Sequence, residues 1–341
     1  MKAVIMAGGE GRRLRPVTGD SPKPLVPFLG RPIMEHIILL LKKHGYTDIC
    51  AAVKYRAEDI IRAFGDGSQL GVKLQYRVEG EALGTAGSVK NCGDFYGGED
   101  FLVISGDAAC DFDLGKMMKL HRERQAAVTL ALYNHQSPLS YGLTVTDEND
   151  RVRAFVEKPD WERVVSDLVN TGIYILSPRA MELVPEGEPF DFAKQLFPLL
   201  LERGELMLGL PMEGYWCDVG EPLSYYRCCV DALEGRLDIS MGESFRPAPP
   251  QLSQRRHMRR DYSLEYPCRS RAALMGALSR AMLEMDADYS DGIRLEAPSY
   301  SLHVSPLSER SAIRIAVNSQ NVEFAAKLAL SLRDLAEILD L

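Results

Sequence analysis

Five short apolar runs alternate with helical segments over the first 133 residues, and that alternation fixes the class of fold open to the chain. KAVIM (2–6), DICAAV (48–53), VKLQYRV (72–78), FLVIS (101–105) and AVTLALY (127–133) read as strands. Between them, 33–44 places Ile33, Ile37, Leu40 and Leu41 on one helical face and stops at Gly45. Residues 56–64, 85–92 and 114–125 are helical as well, the last behind Asp113 as its N-cap. A parallel strand pair needs a long crossover, and an intervening helix supplies it. The spacing therefore predicts a Rossmann-like α/β fold with a mixed, mainly parallel sheet.

The pattern then changes. GLTVTD (142–147) and VRAFVEKP (152–159) read as a hairpin around Glu148-Asn149-Asp150, and NTGIYIL (170–176) as a strand. Ser177-Pro178 opens a short helix, 191–203 is helical, ELMLGLP (205–211) and GYWCDVG (214–220) return to strand, and Pro222 to Leu233 closes with a helix. Periodicity is lost over 235–268, where GESFRPAPPQLSQRRH is polar and Pro-containing, so that stretch reads as a linker. A helix (270–285), three strands (292–297, 299–305, 312–318) and a long amphipathic helix (320–339) then make a small C-terminal α+β domain, 269–341.

Composition narrows the function classes. The 341 residues are 46% hydrophobic and 26% charged, which suits a globular chain that buries its core without staples. Net charge is −8, and the nearest approach to a basic run, RRHMRR at 255–260, falls in the linker, so no nucleic-acid partner is expected. Cys50, Cys92, Cys110, Cys217, Cys228, Cys229 and Cys268 include no C-x-x-C pair. Their odd number suits reduced thiols and a cytoplasmic location better than a disulfide framework or a zinc site. No apolar run reaches about 18 residues, and MKAVIMAGG is too short an apolar run for a signal peptide, so no membrane partner is expected.

The loop after the first strand is GGEGRRLRPVTGDSPKP. Gly8, Gly9 and Gly11 permit positive φ and close backbone approach, and their N–H groups can cradle phosphate. Arg12, Arg13, Arg15 and Lys23 add cationic donors matched to phosphate oxygens. A P-loop is excluded, because the second glycine it requires falls on Arg13 or Leu14. A dinucleotide fingerprint is excluded too, because Gly9-x-Gly11 is followed at the third glycine position by Leu14. The plainer alternative is a glycine turn with surface arginines. His36, His44 and His121 fall within helices and read as structural.

GGEGRRLRPVT followed by PKP resembles the signature of the sugar-1-phosphate nucleotidyltransferases, G-G-x-G-[T]-R-L-x-P-[LM]-T and then P-K-P, departing at Arg12 where that family has Thr. LGTAG (83–87), SGD (105–107), YG (141–142), EKP (157–159), NTG (170–172) and W-x-D-x-G (216–220) resemble further landmarks of the same family, in the same order. The resemblance covers 1–234 and implies a nucleotidyltransferase catalytic domain that binds an NTP and a sugar 1-phosphate. It implies Mg²⁺ on Asp107 and Asp218, which agrees with the chemistry: Asp107 follows a central strand at its carboxyl end, where α/β sheets bind ligands, and Mg²⁺ takes one or two carboxylates plus phosphate oxygens. Asp111 and Asp113 are read as capping and surface residues. By the same resemblance Arg13 binds the triphosphate, Lys23 grips phosphate near the reacting centre, Lys158 contacts the sugar phosphate, Glu157 takes sugar hydroxyls, and Gly142, Asn170 and Thr171 hold the sugar. It also implies a homo-oligomer, a dimer.

Relatives using dTTP or UTP carry Gln five positions before the glycine of the base-binding loop, and counting back from Gly84 gives Glu79. Guanine presents two adjacent donors, which an acceptor-only carboxylate matches; Glu81 is the alternative. That points to GTP and, by resemblance, mannose 1-phosphate. A glucose-1-phosphate thymidylyl- or uridylyltransferase is the rival enzyme, and a catalytically inactive nucleotide-sugar sensor the rival from another class. Intact Arg13, Lys23, Asp107, Lys158 and Asp218 argue against the sensor.

Residues 269–341 resemble the last domain of phosphohexomutases, whose phosphate loop is R-P-S-G-T-E-P. Ser305, Pro306, Leu307, Ser308, Glu309, Arg310 and Ser311 stand in its place, so no mutase activity is expected, and the region reads as a dimerisation or docking module, or as a degenerate effector sensor.

Overall fold

The computed structural model describes residues 1–14, 19, 21–135, 141–157, 166–242, 260–282, 287–288, 292–307 and 311–340. It divides into two compact units, Met1–Glu10 with Ile37–Asp218, and Gly11–His36 with Val219–Leu341. Helix α1, Ile33–Lys43, contributes its first turn to the second unit and the remainder to the first.

The strands of the first unit are β1 (Lys2–Ala7), β2 (Asp48–Val53), β3 (Lys73–Val78), β4 (Phe101–Ser105), β5 (Ala108–Cys110), β6 (Val128–Asn134), β7 (Gly142–Thr146), β8 (Val152–Glu157), β9 (Leu168–Leu176), β10 (Met207–Pro211) and β11 (Trp216–Asp218). Among the described residues, nine of these form one mixed sheet in the order β8-β7-β9-β4-β1-β2-β3, with β6 also on β9 and β10 on β6. β1 pairs in parallel with β2 and β4, β2 with β3, and β6 with β10, whereas β9 runs antiparallel to β4 and β6. The Rossmann-like α/β expectation holds. Crossover helices explain why β1 reads as an unbroken apolar run: Ala3, Val4 and Ile5 have no exposed surface. α2 (Ala57–Phe64), α3 (Gly84–Lys90) and α4 (Leu114–Arg124) supply the crossovers, and Asp113 caps α4 by accepting from the Lys116 N–H at 3.0 Å. One core joins Val4, Val103, Leu130 and Tyr174 of the sheet to Val89, Phe192 and Phe197. β5 and β11 form a separate antiparallel ribbon.

In the second unit a 3-10 turn, Lys23–Leu25, leads into a small hairpin, Pro27–Phe28 paired with Arg31–Pro32. α5 (Pro222–Leu233) starts with a capping box between Glu221 and Ser224. Strands β12 (Arg260–Pro267), β13 (Ala287–Asp288), β14 (Ile293–Glu296), β15 (Tyr300–Pro306) and β16 (Ala312–Ser319) form a sheet in the order β12-β16-β15-β14-β13. α6 (Arg271–Ala281) and α7 (Val322–Leu339) complete the unit, with α7 packed on β12, β16 and α5.

β12 lies inside the stretch read as a linker. Tyr262, Leu264 and Tyr266 alternate with exposed Ser263, Glu265 and Pro267, and the strand pairs along its length with β16. Nor does the division into units follow a boundary near 234. Gly11–His36 groups with the C-terminal half because the Tyr225 hydroxyl donates to Pro27 O at 2.7 Å and its ring meets that of Phe28 edge-on, while the Tyr226 and Tyr300 hydroxyls share a buried hydrogen bond. Among the described residues, no helix is long and apolar enough to cross a membrane.

Candidate functional site

The glycine-rich loop is divided between the units. In the first, Gly8 follows β1 beside Lys54: a Cβ at Gly8 would lie 3.5 Å from the Lys54 Cβ, and one at Gly9 would have nothing within 4 Å. In the second, Gly11 has φ +61°, and a Cβ there would come within 3.1 Å of the Lys23 side chain. The Leu14 N–H donates to Gly11 O at 2.9 Å and closes the turn Arg12–Leu14. Buried Leu14 anchors that turn and leaves Arg12 and Arg13 exposed, whereas Lys23 is buried. Arg15 lies outside the described residues.

Strand register gathers the remaining motifs. Met6 pairs with Ser105, Ala7 with Val53, and Val53 with Val78. Gly8, Lys54, Glu79 and Asp107 therefore follow four adjacent strands at one edge of the sheet, the carboxyl edge where α/β folds bind ligands. Gly106 brings two strand ends together: its N–H donates to Met6 O at 2.8 Å, and a Cβ would sit 2.8 Å from that oxygen, so only glycine fits. The antiparallel β9 carries N-T-G to the same edge, since Ile173 pairs with Ile104 and a Cβ on Gly172 would lie 3.3 Å from the Ser105 Cβ. The Ser105 hydroxyl donates to Asp107 Oδ1 at 2.7 Å. In the β5–β11 ribbon Asp218 pairs with Ala108, the neighbour of Asp107. The Tyr215 N–H donates to Asp111 Oδ1 at 2.7 Å, so Asp111 holds the start of β11 and is not a surface residue in role.

Two carboxylates suit a cation that takes most of its remaining ligands from phosphate and water, as Mg²⁺ does. Among the described residues no group of three or more His, Cys, Asp or Glu is arranged to enclose a metal. The donor set fits an open site and does not fit an all-protein cage.

The sugar-side residues are placed less uniformly. Gly142 pairs with Glu157, and Leu143 pairs with both Val156 and Val169, so the ends of β7 and β8 adjoin Asn170. Asn170 Nδ2 donates to the Tyr174 hydroxyl at 2.9 Å, and its Oδ1 accepts from the Gly172 N–H at 3.3 Å. Thr171 is 3% exposed, and its hydroxyl donates to Ala131 O at 2.7 Å. Its hydroxyl is thus committed to the backbone of β6. Lys158 lies outside the described residues.

Glu79 is buried at the end of β3, and its N–H donates to Val53 O at 2.9 Å. Burial raises the pKa of its carboxyl, while the Ser88 hydroxyl, the Leu83 N–H and Lys54 pull it back down. Oε1 has no hydrogen-bond partner among the described residues. Glu81 is exposed, so of the two candidates Glu79 is the one with a desolvated acceptor. Gly84 opens α3 with φ +69°, and a Cβ there would lie 2.7 Å from Phe190 O. The motif reading missed Lys54, whose only sequence signal is a cation directly after a strand, and it missed the Phe190–Asp191 segment, which carries no motif.

A family model for nucleotidyl transferases matches residues 2–235. The chain is 38% identical over 250 residues to a UTP–glucose-1-phosphate uridylyltransferase of Synechocystis sp., covering 70% of this chain and 64% of that protein. It is 33% identical over 234 residues to a mannose-1-phosphate guanylyltransferase of Mycobacterium tuberculosis, covering 68% and 65% respectively. The chain thus spans just under two thirds of the length of these relatives. Among solved structures, HddC from Yersinia pseudotuberculosis complexed with GMP-PN matches with a TM-score of 0.58 and 29% identity, over 67% of this chain and 97% of that one.

Proposed function

We propose, from the premise that this chain belongs to the nucleotidyl transferase family, that it transfers a nucleotidyl group from an NTP to a sugar 1-phosphate and releases pyrophosphate. The observation that carries this reading is the gathering of Gly8, Glu79, Asp107 and Asp218 at one carboxyl edge of the sheet by strand register. A sugar-phosphate oxygen attacks the α-phosphorus in line, the bond to the bridging oxygen breaks, and pyrophosphate leaves with that electron pair. Arg12, Arg13 and Lys23 supply donors for the triphosphate, and Lys158 for the sugar phosphate. Asp107 and Asp218 would hold Mg²⁺, which when bound supplies charge neutralisation at the phosphoryl oxygens. Catalysis is then positioning and charge stabilisation, with no covalent enzyme intermediate.

The finer reading is GTP with mannose 1-phosphate. The relatives include both a uridylyl- and a guanylyltransferase, so the base rests on Glu79. Its buried, unpartnered Oε1 is an acceptor, which suits the paired N1–H and N2–H of guanine, whereas uracil offers a carbonyl beside its single N–H. The test is pyrophosphate release with Mg²⁺, crossing GTP, UTP, dTTP, ATP and CTP against mannose and glucose 1-phosphates, in wild type and Glu79→Gln. Release with GTP, weakened or redirected to a pyrimidine in the variant, supports the chain of reasoning. A wild-type preference for UTP or dTTP keeps the family reaction and removes the guanine argument.

A further inference from the structure

The loop that follows Glu79 is strapped by a segment 106 residues away in sequence. The Phe190 N–H donates to Leu83 O at 2.8 Å, and Phe190 O accepts from the Ala86 N–H at 2.9 Å and the Gly87 N–H at 3.0 Å. A side-chain link lies beside this backbone clasp. The Thr85 hydroxyl donates to Asp191 Oδ2 at 2.9 Å and accepts from the Phe192 N–H at 2.9 Å. Asp191 Oδ1 accepts from the N–H groups of Ala193 and Lys194 at 3.0 and 3.2 Å, and its own N–H donates to Gln195 Oε1 at 2.9 Å. Both oxygens of Asp191 are committed, which fixes the carboxylate that Thr85 meets.

Two glycines of LGTAG make room for this clasp. A Cβ on Gly84 would sit 2.7 Å from Phe190 O, and one on Gly87 would sit 2.8 Å from Glu188 O, both closer than a Cβ tolerates. These contacts are with protein backbone, so close packing of the strap sets both glycines without any ligand. Leu83 is the joint between strap and base loop: its carbonyl is held by Phe190, and it stands four residues after Glu79 and directly before the glycine that opens α3.

We propose that Thr85, Gly87 and Asp191 are positioning residues for nucleotide recognition, the strap Glu188–Asp191 fixing Leu83–Gly87, the base loop that follows Glu79. This rests on the reading of the site as a nucleotide site. None of the three needs to touch substrate. Their effect is selective, because the clasp holds the base loop and does not include Gly142, Glu157 or Asn170.

The test is Thr85→Val, Thr85→Ser and Gly87→Ala in the full chain, read as KM for GTP, UTP and mannose 1-phosphate in pyrophosphate release. Thr85→Val is expected to raise KM for the preferred nucleotide roughly tenfold, the effect of about one lost hydrogen bond, and to narrow the ratio between GTP and UTP by a similar factor. KM for the sugar phosphate stays within about twofold, and Thr85→Ser restores the wild-type values. Gly87→Ala moves the same two quantities in the same direction. Calorimetric titration with each nucleotide reads binding and base preference without turnover. A wild type that binds GTP but does not turn over therefore sinks the transfer reading and leaves the strap open to measurement. A wild type that binds neither nucleotide sinks both. Unchanged nucleotide KM and base ratio in Thr85→Val, or an equal rise in both substrates' KM, as general loosening would give, overturns the strap.

Discussion

His36 makes part of the stability of this protein depend on pH between 4 and 7, and the size of the effect can be worked from its surroundings. The ring sits in the first turn of α1, 7% exposed, edge-on to Phe28 with centroids 5.5 Å apart. Nε2 lies 2.7 Å from Phe28 O. A carbonyl only accepts, so Nε2 carries the proton, and Nδ1 is a buried acceptor with no partner among the described residues. Burial lowers its pKa from 6.5 to about 4; the Phe28 carbonyl opposes that shift, and the Arg31 charge adds to it. A lowered folded pKa means that the unfolded chain binds the extra proton. The contribution is therefore complete above about pH 6.5 and is lost as pH falls towards 4. At pH 5 the linkage relation gives a loss of about 2 kcal/mol relative to pH 7, and about 3 kcal/mol at the acid end. His36→Gln keeps an N–H donor for Phe28 O and does not titrate in this range. Its offset from wild type should be constant above pH 7 and should shrink, or change sign, by about 2 kcal/mol at pH 5 in paired urea denaturations. NMR of the imidazole carbons, with the variant for assignment, should show the His36 resonance titrating near 4. A His36 resonance titrating near 6.5, or an offset flat from pH 7 to 5, refutes the reasoning.

Other expectations concern the site and the second unit. Asp107→Asn and Asp218→Asn should each lower kcat by ~100-fold or more with the melting temperature little changed, because each removes a carboxylate that would hold Mg²⁺; wild-type turnover in either variant rules out the assignment. Gly84→Ala forces a side chain onto φ +69° and into Phe190 O at 2.7 Å, so it should destabilise by roughly 1–3 kcal/mol and raise nucleotide KM. Leu302 is 2% exposed on β15, the strand that packs against α6, and Leu302→Ala should cost about 2–5 kcal/mol in denaturant unfolding. Chelation of divalent metal should abolish pyrophosphate release, and added Mg²⁺ should restore it.

The strands and the sheet edge were legible in the sequence because burial on both faces writes itself as unbroken apolar runs, and because chemistry placed directly after such runs must sit where the strands end. That logic located Gly8 and Asp107; Glu79 and Asp218 came from the family resemblance, and strand register brings them to the same edge. It failed where the side-chain period mattered more than the motif. The resemblance gave Asn170 and Thr171 alike to the sugar, yet Thr171 shares strand parity with Val169 and Ile173, both without exposed surface, and parity decides which face a side chain takes. The same period was present in Tyr262, Leu264 and Tyr266, but the basic run before them disguised a strand as a linker. The strap was out of reach for a different reason. Asp191 is an ordinary helix cap in sequence, and nothing in its neighbourhood records that Thr85 will meet it. Its trace is the pair of glycines in LGTAG, of which the motif reading gave Gly84 to the nucleotide and left Gly87 without a role. A glycine has two possible claimants, a ligand and a backbone, and the sequence names neither. Gly84 and Gly87 both answer to backbone oxygens here, so the same five residues that read as a binding motif are also the imprint of a distant chain segment.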